Sequence, residues 1–240
     1  MLVTRSSEDR GYSDLGWLKS RHTFSFSGYN DPLHMGFESL RVINDDYVMA
    51  GAGFDTHSHK NMEIISYVLD GTLAHKDIMG NGSIIKPGDI QRMSAGIGIT
   101  HSEYNHSKSD YVHFLQIWFL PKKMDITPSY EQKMFNRDEK VGKLKLVTSS
   151  TGRDGSVSIN QEVDIYAGIL EDSSQSFTHT LKGNRKAWIH IARGSVSING
   201  QDVKSGDGIS CKDKIDLEFT DGKGVEVILF DMAPLITSNT

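Results

Sequence analysis

The stretch Gly51-Ala52-Gly53-Phe54-Asp55-Thr56-His57-Ser58-His59-Lys60-Asn61-Met62-Glu63 decides how the rest of the chain reads. On a β-strand, successive side chains leave on opposite faces, so His57 and His59 share one face. Farther along, His101-Ser102-Glu103 repeats the same spacing, and His101 and Glu103 share a face by the same rule. If both strands border one interior, His57, His59, His101 and Glu103 converge on a point. Three imidazoles and one carboxylate suit a divalent transition metal with coordination positions left open. An isolated His-x-His pair is weak evidence in a chain with ten histidines, because neutral histidine also serves as an ordinary hydrogen-bonded side chain. The second cluster and the shared parity give the pair its weight. Glu63 is a second candidate carboxylate, and spacing alone does not choose between it and Glu103.

The surroundings of these clusters read as strand. Glu63 to Leu69 is rich in β-formers and stops at Asp70-Gly71, a turn signal. Thr72 to Ile78 alternates and stops at Gly80-Asn81-Gly82, and Val112 to Leu120 is an apolar run closed by Pro121. Glu38–Ile43 and Tyr47–Ala50 flank Asn44-Asp45-Asp46, which predicts a hairpin there. Helical periodicity is nearly absent. Short helical turns are expected near Asp14–Leu18, with Asp14 as N-cap, and near Pro128–Gln132. The second half repeats the rhythm: Ala187–Ala192 ends at Arg193-Gly194, and Ser205-Gly206-Asp207 echoes Pro87-Gly88-Asp89. Many short strands at regular turn spacing predict an all-β chain of two tandem barrels. The segment from Pro121 to Lys143 has little strand pattern, which places the junction there and divides the chain into 1–130 and 131–240.

Composition bounds the function. The 240 residues carry 26 Lys and Arg against 31 Asp and Glu, a net charge of −5, with no basic cluster longer than Lys122-Lys123. That excludes an electrostatic footprint for direct nucleic-acid binding. Cys211 is the only cysteine, so no intrachain disulfide forms; no redox role is assigned to it. The start lacks a secretory pattern and no stretch approaches a membrane span, so a cytoplasmic protein with no membrane contact is expected. The halves differ chemically. Eight histidines lie from His22 to His113, and only His179 and His190 lie beyond. Aligning the repeats sets Thr180 and Lys182 where His57 and His59 stand, and Phe219 where His101 stands. The second barrel is expected to hold no metal and to brace the first or supply a partner surface.

Gly51-x5-His57-x-His59-x3-Glu63 matches the opening of the first cupin motif, although the next glycine, Gly71, comes one residue late. The run Met93-Ser94-Ala95-Gly96-x-Gly98-Ile99-x-His101-Ser102-Glu103 departs from the general cupin pattern and resembles the pirin family, as do His22–Phe26, Leu40–Asp46 and His75-x-Asp77-x-x-Gly80-Asn81. The resemblance spans nearly the whole chain and is closest to bacterial pirin-like quercetinases. It implies two cupin (jelly-roll) barrels with a metal in the first only. It also implies that the carboxylate ligand is Glu103, beside His57, His59 and His101. Glu63 then becomes an outer acceptor that orients a ligand imidazole.

The resemblance further implies a metal-dependent dioxygenase that opens the central ring of flavonols such as quercetin. Its substrates are a flavonoid-type small molecule and O2, and its metal is Fe2+ before Mn, Ni, Co, Cu or Zn. Glu103 is the expected proton acceptor, with Glu63 second. The resemblance also allows a non-enzymatic reading, a metal- and redox-sensing regulator that binds a protein partner, and fold alone leaves other cupin reactions open. Among the remaining candidates, His75 is expected to be structural or rim-facing, and His113 a hydrogen-bonded core histidine. Phe24, Phe26, Met35 and Phe37 are candidates for a pocket lining. Gly96-x-Gly98 is read as a bend that lets His101 approach the site.

Overall fold

The computed structural model describes residues 1–213 and 215–235. Strands dominate these residues, and the helical elements are the 3-10 turns Ser7–Asp9, Arg137–Glu139 and Arg153–Gly155. None is long or apolar enough to cross a membrane. A seven-stranded sheet runs in the order Ser129–Met134, Asp89–Ser94, Glu63–Asp70, Val112–Phe119, Leu40–Val48, Leu18–His22, Gly11–Asp14. A four-stranded sheet runs Gly53–His59, Ile99–Asn105, Leu73–Asp77, Gly82–Ile85. Leu18, Val48, Val68 and Phe114 of the first sheet meet Leu73 and Ile85 of the second, and this contact closes the first barrel. A nine-stranded sheet built mainly from residues 144–232 forms the second.

Period-two alternation decides what each strand face meets. On Glu63–Asp70, Ser66 and Val68 face the first barrel's interior. Ile65, Tyr67 and Leu69 face outward and join Ile117 and Phe119 in one buried cluster with Val147, Ile165, Trp188 and Phe230 of the second barrel. The two barrels therefore share an apolar core. Two segments cross the 130/131 division. Leu2–Arg5 pairs with Gly208–Cys211 of the second sheet, and Ser129–Met134 pairs with Asp89–Ser94 of the first. Position 130 lies inside that latter strand.

Three local expectations are corrected. Asn44-Asp45-Asp46 is not a hairpin turn; it lies within the continuous strand Leu40–Val48. Its polar side chains find tertiary partners there. Asp45 accepts from Arg10 at 3.1 Å and from His113 at 2.7 Å, and Asn44 meets His22 at 2.8 Å. Leu15–Trp17 is a turn between two strands, with Asp14 accepting from the amide of Gly16 at 2.9 Å. Ser129–Gln132 is strand, because its alternation fits the edge beside Asp89–Ser94.

His190, on the strand Lys186–Ile198, is fully buried and neither ring nitrogen has a partner. Burial, with the charge of Arg10 and of His113, pushes its pKa down to about 3, against the opposing pull of Asp45 and Asp207. The unfolded chain takes up this proton first as pH falls below the ordinary value of about 6.5. Stability is therefore lost on acidification between pH 6.5 and 3. Going from pH 7.5 to 4.5, this one group is expected to remove on the order of 2–3 kcal/mol. Urea denaturation at both pH values checks this: His190→Leu should flatten the loss by that amount, and an equal loss in both proteins would refute it.

Candidate metal centre

His57 lies directly across the ladder from His101, and His101 has Asp77 on its other side. Between His101 and Glu103 the register slips, so that Glu103 stands opposite Phe54 rather than Asp55. This bulge admits one extra residue on the Gly53–His59 strand. Gly53 permits the close approach: a Cβ there would sit 2.3 Å from the carbonyl oxygen of Glu103. Before the strand, Gly96 takes φ +47, and a Cβ would sit 1.9 Å from the carbonyl oxygen of Ile126. Glycine is what lets the chain bend sharply into Ile99–Asn105.

The bend and the bulge bring three imidazoles together. Ring centroids of His57 and His101 are 4.4 Å apart, of His57 and His59 4.9 Å, and of His59 and His101 5.0 Å. One nitrogen of each lies within 4.8 Å of one of the others, close enough for one ion. Their tautomers suit that use. His57 donates its Nδ1–H to the carbonyl of Asp55 at 2.7 Å, leaving Nε2 as a lone pair. His101 Nδ1 lies 3.4 Å from His75 Nδ1, and His75 Nε2 lies 3.3 Å from Asp77 Oδ2. Asp77 is fixed by Asn81, whose side-chain amide donates at 2.8 Å, and by the amide of Met79 at 2.9 Å. Donation from His101 to His75 and from His75 to Asp77 leaves Nε2 of His101 free, and that atom is buried without a partner. A buried, unpartnered imidazole nitrogen beside two other imidazoles fits the donor set of a divalent metal. Burial, reinforced by the neighbouring imidazoles, lowers His59 to about 4 and His101 to about 3. Both are therefore neutral ligands near pH 7.

Glu103 is buried beside them. Its Oε1 accepts from Ser66 Oγ at 3.1 Å and its Oε2 from Gln116 Nε2 at 2.9 Å. Its carboxylate groups most closely with His75 and His101, while His57, His59 and His101 form the other cluster. His75 is not rim-facing: it is buried and hydrogen-bonded between His101 and Asp77. The alternation in His75-Lys76-Asp77 was the signal for that placement. Among the described residues, clusters of this kind occur only in the first barrel.

Glu63 does not make the contact expected of it. The chain turns at Asn61, with φ 51, and crosses from the four-stranded to the seven-stranded sheet. Parity with His59 is lost, and Glu63 joins the outward face with Ile65 and Tyr67. Its Oε2 accepts from Ser94 Oγ at 2.8 Å and from the amide of Asn160, in the second half of the chain, at 3.1 Å. Burial pushes its carboxyl pKa up. No histidine touches it among the described residues.

A cavity of about 280 Å³ opens on this centre, bordered by His57, His59 and Glu103. Leu15, Leu18, Phe26, Phe54 and Trp118 form its apolar wall, and Ser13, Ser20, His22, Asn44 and Asp46 a polar one. The Trp118 ring stands edge-on to His59 at 4.9 Å and to Phe26 at 5.4 Å. Of the predicted aromatic lining only Phe26 reaches it. Phe24 and Phe37 pack on Trp188 of the second barrel, and Met35 is exposed. The polar wall was missed because Asn44-Asp45-Asp46 reads as a turn. A second cavity of about 290 Å³ is bordered by Asp70, Arg137, Lys140, Arg193 and Glu226. Its ions pair with one another or with Glu171, and no imidazole borders it. The chemistry belongs to the first.

Comparison with known proteins agrees with this architecture. A family model described as Pirin matches residues 3–119, and one described as the quercetinase C-terminal cupin domain matches 146–232. The chain is 45% identical over 235 residues to quercetin 2,3-dioxygenase of Escherichia coli K12, covering 98% of this chain and all of that protein. It is 36% identical to a pirin-like protein of Caulobacter vibrioides, covering 97% of this chain and all of that one. Among solved structures, YhhW from Escherichia coli superposes with a TM-score of 0.93 at 43% identity, covering 99% of this chain and all of that one. The same bacterial pirin in complex with nickel(II) gives a TM-score of 0.92 over 98% of this chain and all of that one. The chain is an all-β, two-cupin protein and belongs to the pirin family.

Proposed function

We propose that this protein is a metal-dependent oxidoreductase of the quercetinase type, opening the central ring of a flavonol with O2 and releasing carbon monoxide and a depside. The observation that carries the reading is the juxtaposition of three imidazoles with a largely apolar, aromatic-walled cavity of about 280 Å³. The names of the relatives and the nickel complex of the bacterial pirin support it. His57, His59, His101 and Glu103 are the residues that hold the metal, with Fe2+ as the expected ion. When bound, the metal supplies Lewis acidity that lowers the pKa of a flavonol hydroxyl and a meeting point for substrate and O2.

The chain's own residues do the rest. His75 and Asp77 hold the His101 ring in the tautomer that presents Nε2. Ser66 and Gln116 hold the Glu103 carboxylate, which borders the cavity and is the proton acceptor for a bound hydroxyl. Glu63 faces the other barrel and has no route to the substrate. Trp118, Phe54 and Phe26 exclude water from the reacting face. The second barrel, which shows no such cluster among its described residues, braces the strand that carries Gln116 and Trp118.

The test is an oxygen electrode with protein loaded with Fe2+ and supplied with quercetin. One O2 consumed per flavonol lost, with carbon monoxide evolved, is the expected result. No uptake with iron, nickel, manganese, cobalt or copper would overturn the reading in favour of a regulatory binding protein.

A further inference from the structure

The cavity holds two buried polar atoms that nothing satisfies. One is Oδ1 of Asp46, an acceptor; the other is Nε1 of Trp118, a donor. Asp46 is 3% exposed and sits on the central strand Leu40–Val48, opposite Ser20 and Phe114. Ser20, across the ladder, lies within hydrogen-bonding reach of the carboxyl group, yet Oδ1 itself has no donor, and the other polar neighbours are already paired. His22 meets Asn44 Oδ1 at 2.8 Å through Nδ1 and Ser13 Oγ at 3.0 Å through Nε2. Val48, two residues on and on the same face, is apolar and packs in the barrel core. A buried carboxyl oxygen without a donor costs free energy, and such groups persist where a ligand supplies the missing partner. Burial also raises its pKa to about 7, with Asp45 and Glu103 adding to the effect and Ser20 opposing it, as fits an acid with no cation beside it.

We infer that Asp46 is a specificity-determining residue that accepts a hydrogen bond from a hydroxyl on the substrate's aromatic framework, distinct from the hydroxyl directed at the histidines. The inference rests on the flavonol reading and deepens it: the cavity selects polyhydroxylated over sparsely hydroxylated ring systems. A ligand without that hydroxyl leaves Oδ1 unpaired, and a site built to bond a hydroxyl discriminates strongly against analogues that lack it.

Anaerobic equilibrium dialysis of nickel-loaded protein tests this without any turnover. Quercetin and 3-hydroxyflavone share the 3-hydroxyl and ketone but differ in their other ring hydroxyls. The wild type is expected to prefer quercetin by about tenfold or more, the value of one hydrogen bond to a buried acceptor that is otherwise left unpaired. Asp46→Leu should bring the ratio close to one, with Asp46→Asn between the two and of unchanged side-chain shape. A ratio unchanged in both variants, an equal weakening for both ligands, or no binding of either by the wild type would overturn the inference. Selective binding without oxygen uptake would instead sink the dioxygenase reading and leave the role of Asp46 standing.

Discussion

His101→Ala is expected to weaken metal binding by at least about a hundredfold, more than the loss of an outer-shell partner costs, and to abolish flavonol turnover while leaving the fold in place. The reason lies in where the ring sits. His101 is the middle of the cluster: its ring lies 4.4 Å from that of His57 and 5.0 Å from that of His59, its Nδ1 is held by His75, and its Nε2 is left unpartnered. Alanine removes a neutral donor and the only buried orphan nitrogen of the three. It removes no member of the apolar clusters that hold the barrels together. Elemental analysis and calorimetric titration read the metal, and thermal unfolding of metal-free protein reads the fold. The control is Glu63→Gln, which is expected to keep its metal because Glu63 points at Asn160 and not at the histidines. Full occupancy in His101→Ala would refute the ligand assignment, and an empty site in Glu63→Gln would restore Glu63 as the carboxylate.

Much of this centre is legible in the sequence because its logic is local. Parity on a strand is a property of two residues and their separation, so His57 with His59, and His101 with Glu103, declare their faces before anything folds. Turn glycines such as Gly71 and Gly96 declare where strands stop. What fails is whatever depends on partners far along the chain. Asn44-Asp45-Asp46 has the composition of a turn, yet Arg10, His113 and His22 make it a strand. Parity also fails across Asn61, whose positive φ carries the chain from one sheet to the other and turns Glu63 away. His75 is ambiguous alone and becomes meaningful only when the ladder sets it opposite Glu103. The missed residues share a cause: polar side chains on interior faces look like loops until the opposing sheet is known.

The shared core between the barrels is the other feature that no local pattern reveals, and it carries the second large expectation. Phe119 and Phe230 are fully buried, their rings 5.8 Å apart across the join of the two barrels. Phe119→Ala should cost about 3–5 kcal/mol, the transfer of a large ring plus the cavity it leaves. The strand Val112–Phe119 presents Phe119 and Ile117 to the second barrel and Gln116 and Trp118 to the cavity. Loosening one face therefore loosens the other, since a strand is one rigid ladder. The loss should appear as a single cooperative transition at lower urea, the same when followed by far-ultraviolet circular dichroism and by tryptophan fluorescence. Metal affinity should weaken by a smaller factor than in His101→Ala, because the ligands stay and only the hold on Glu103 through Gln116 is relaxed. Two separate transitions, with metal retained through the first, would mean that the second barrel unfolds without disturbing the site, and its bracing role would fall.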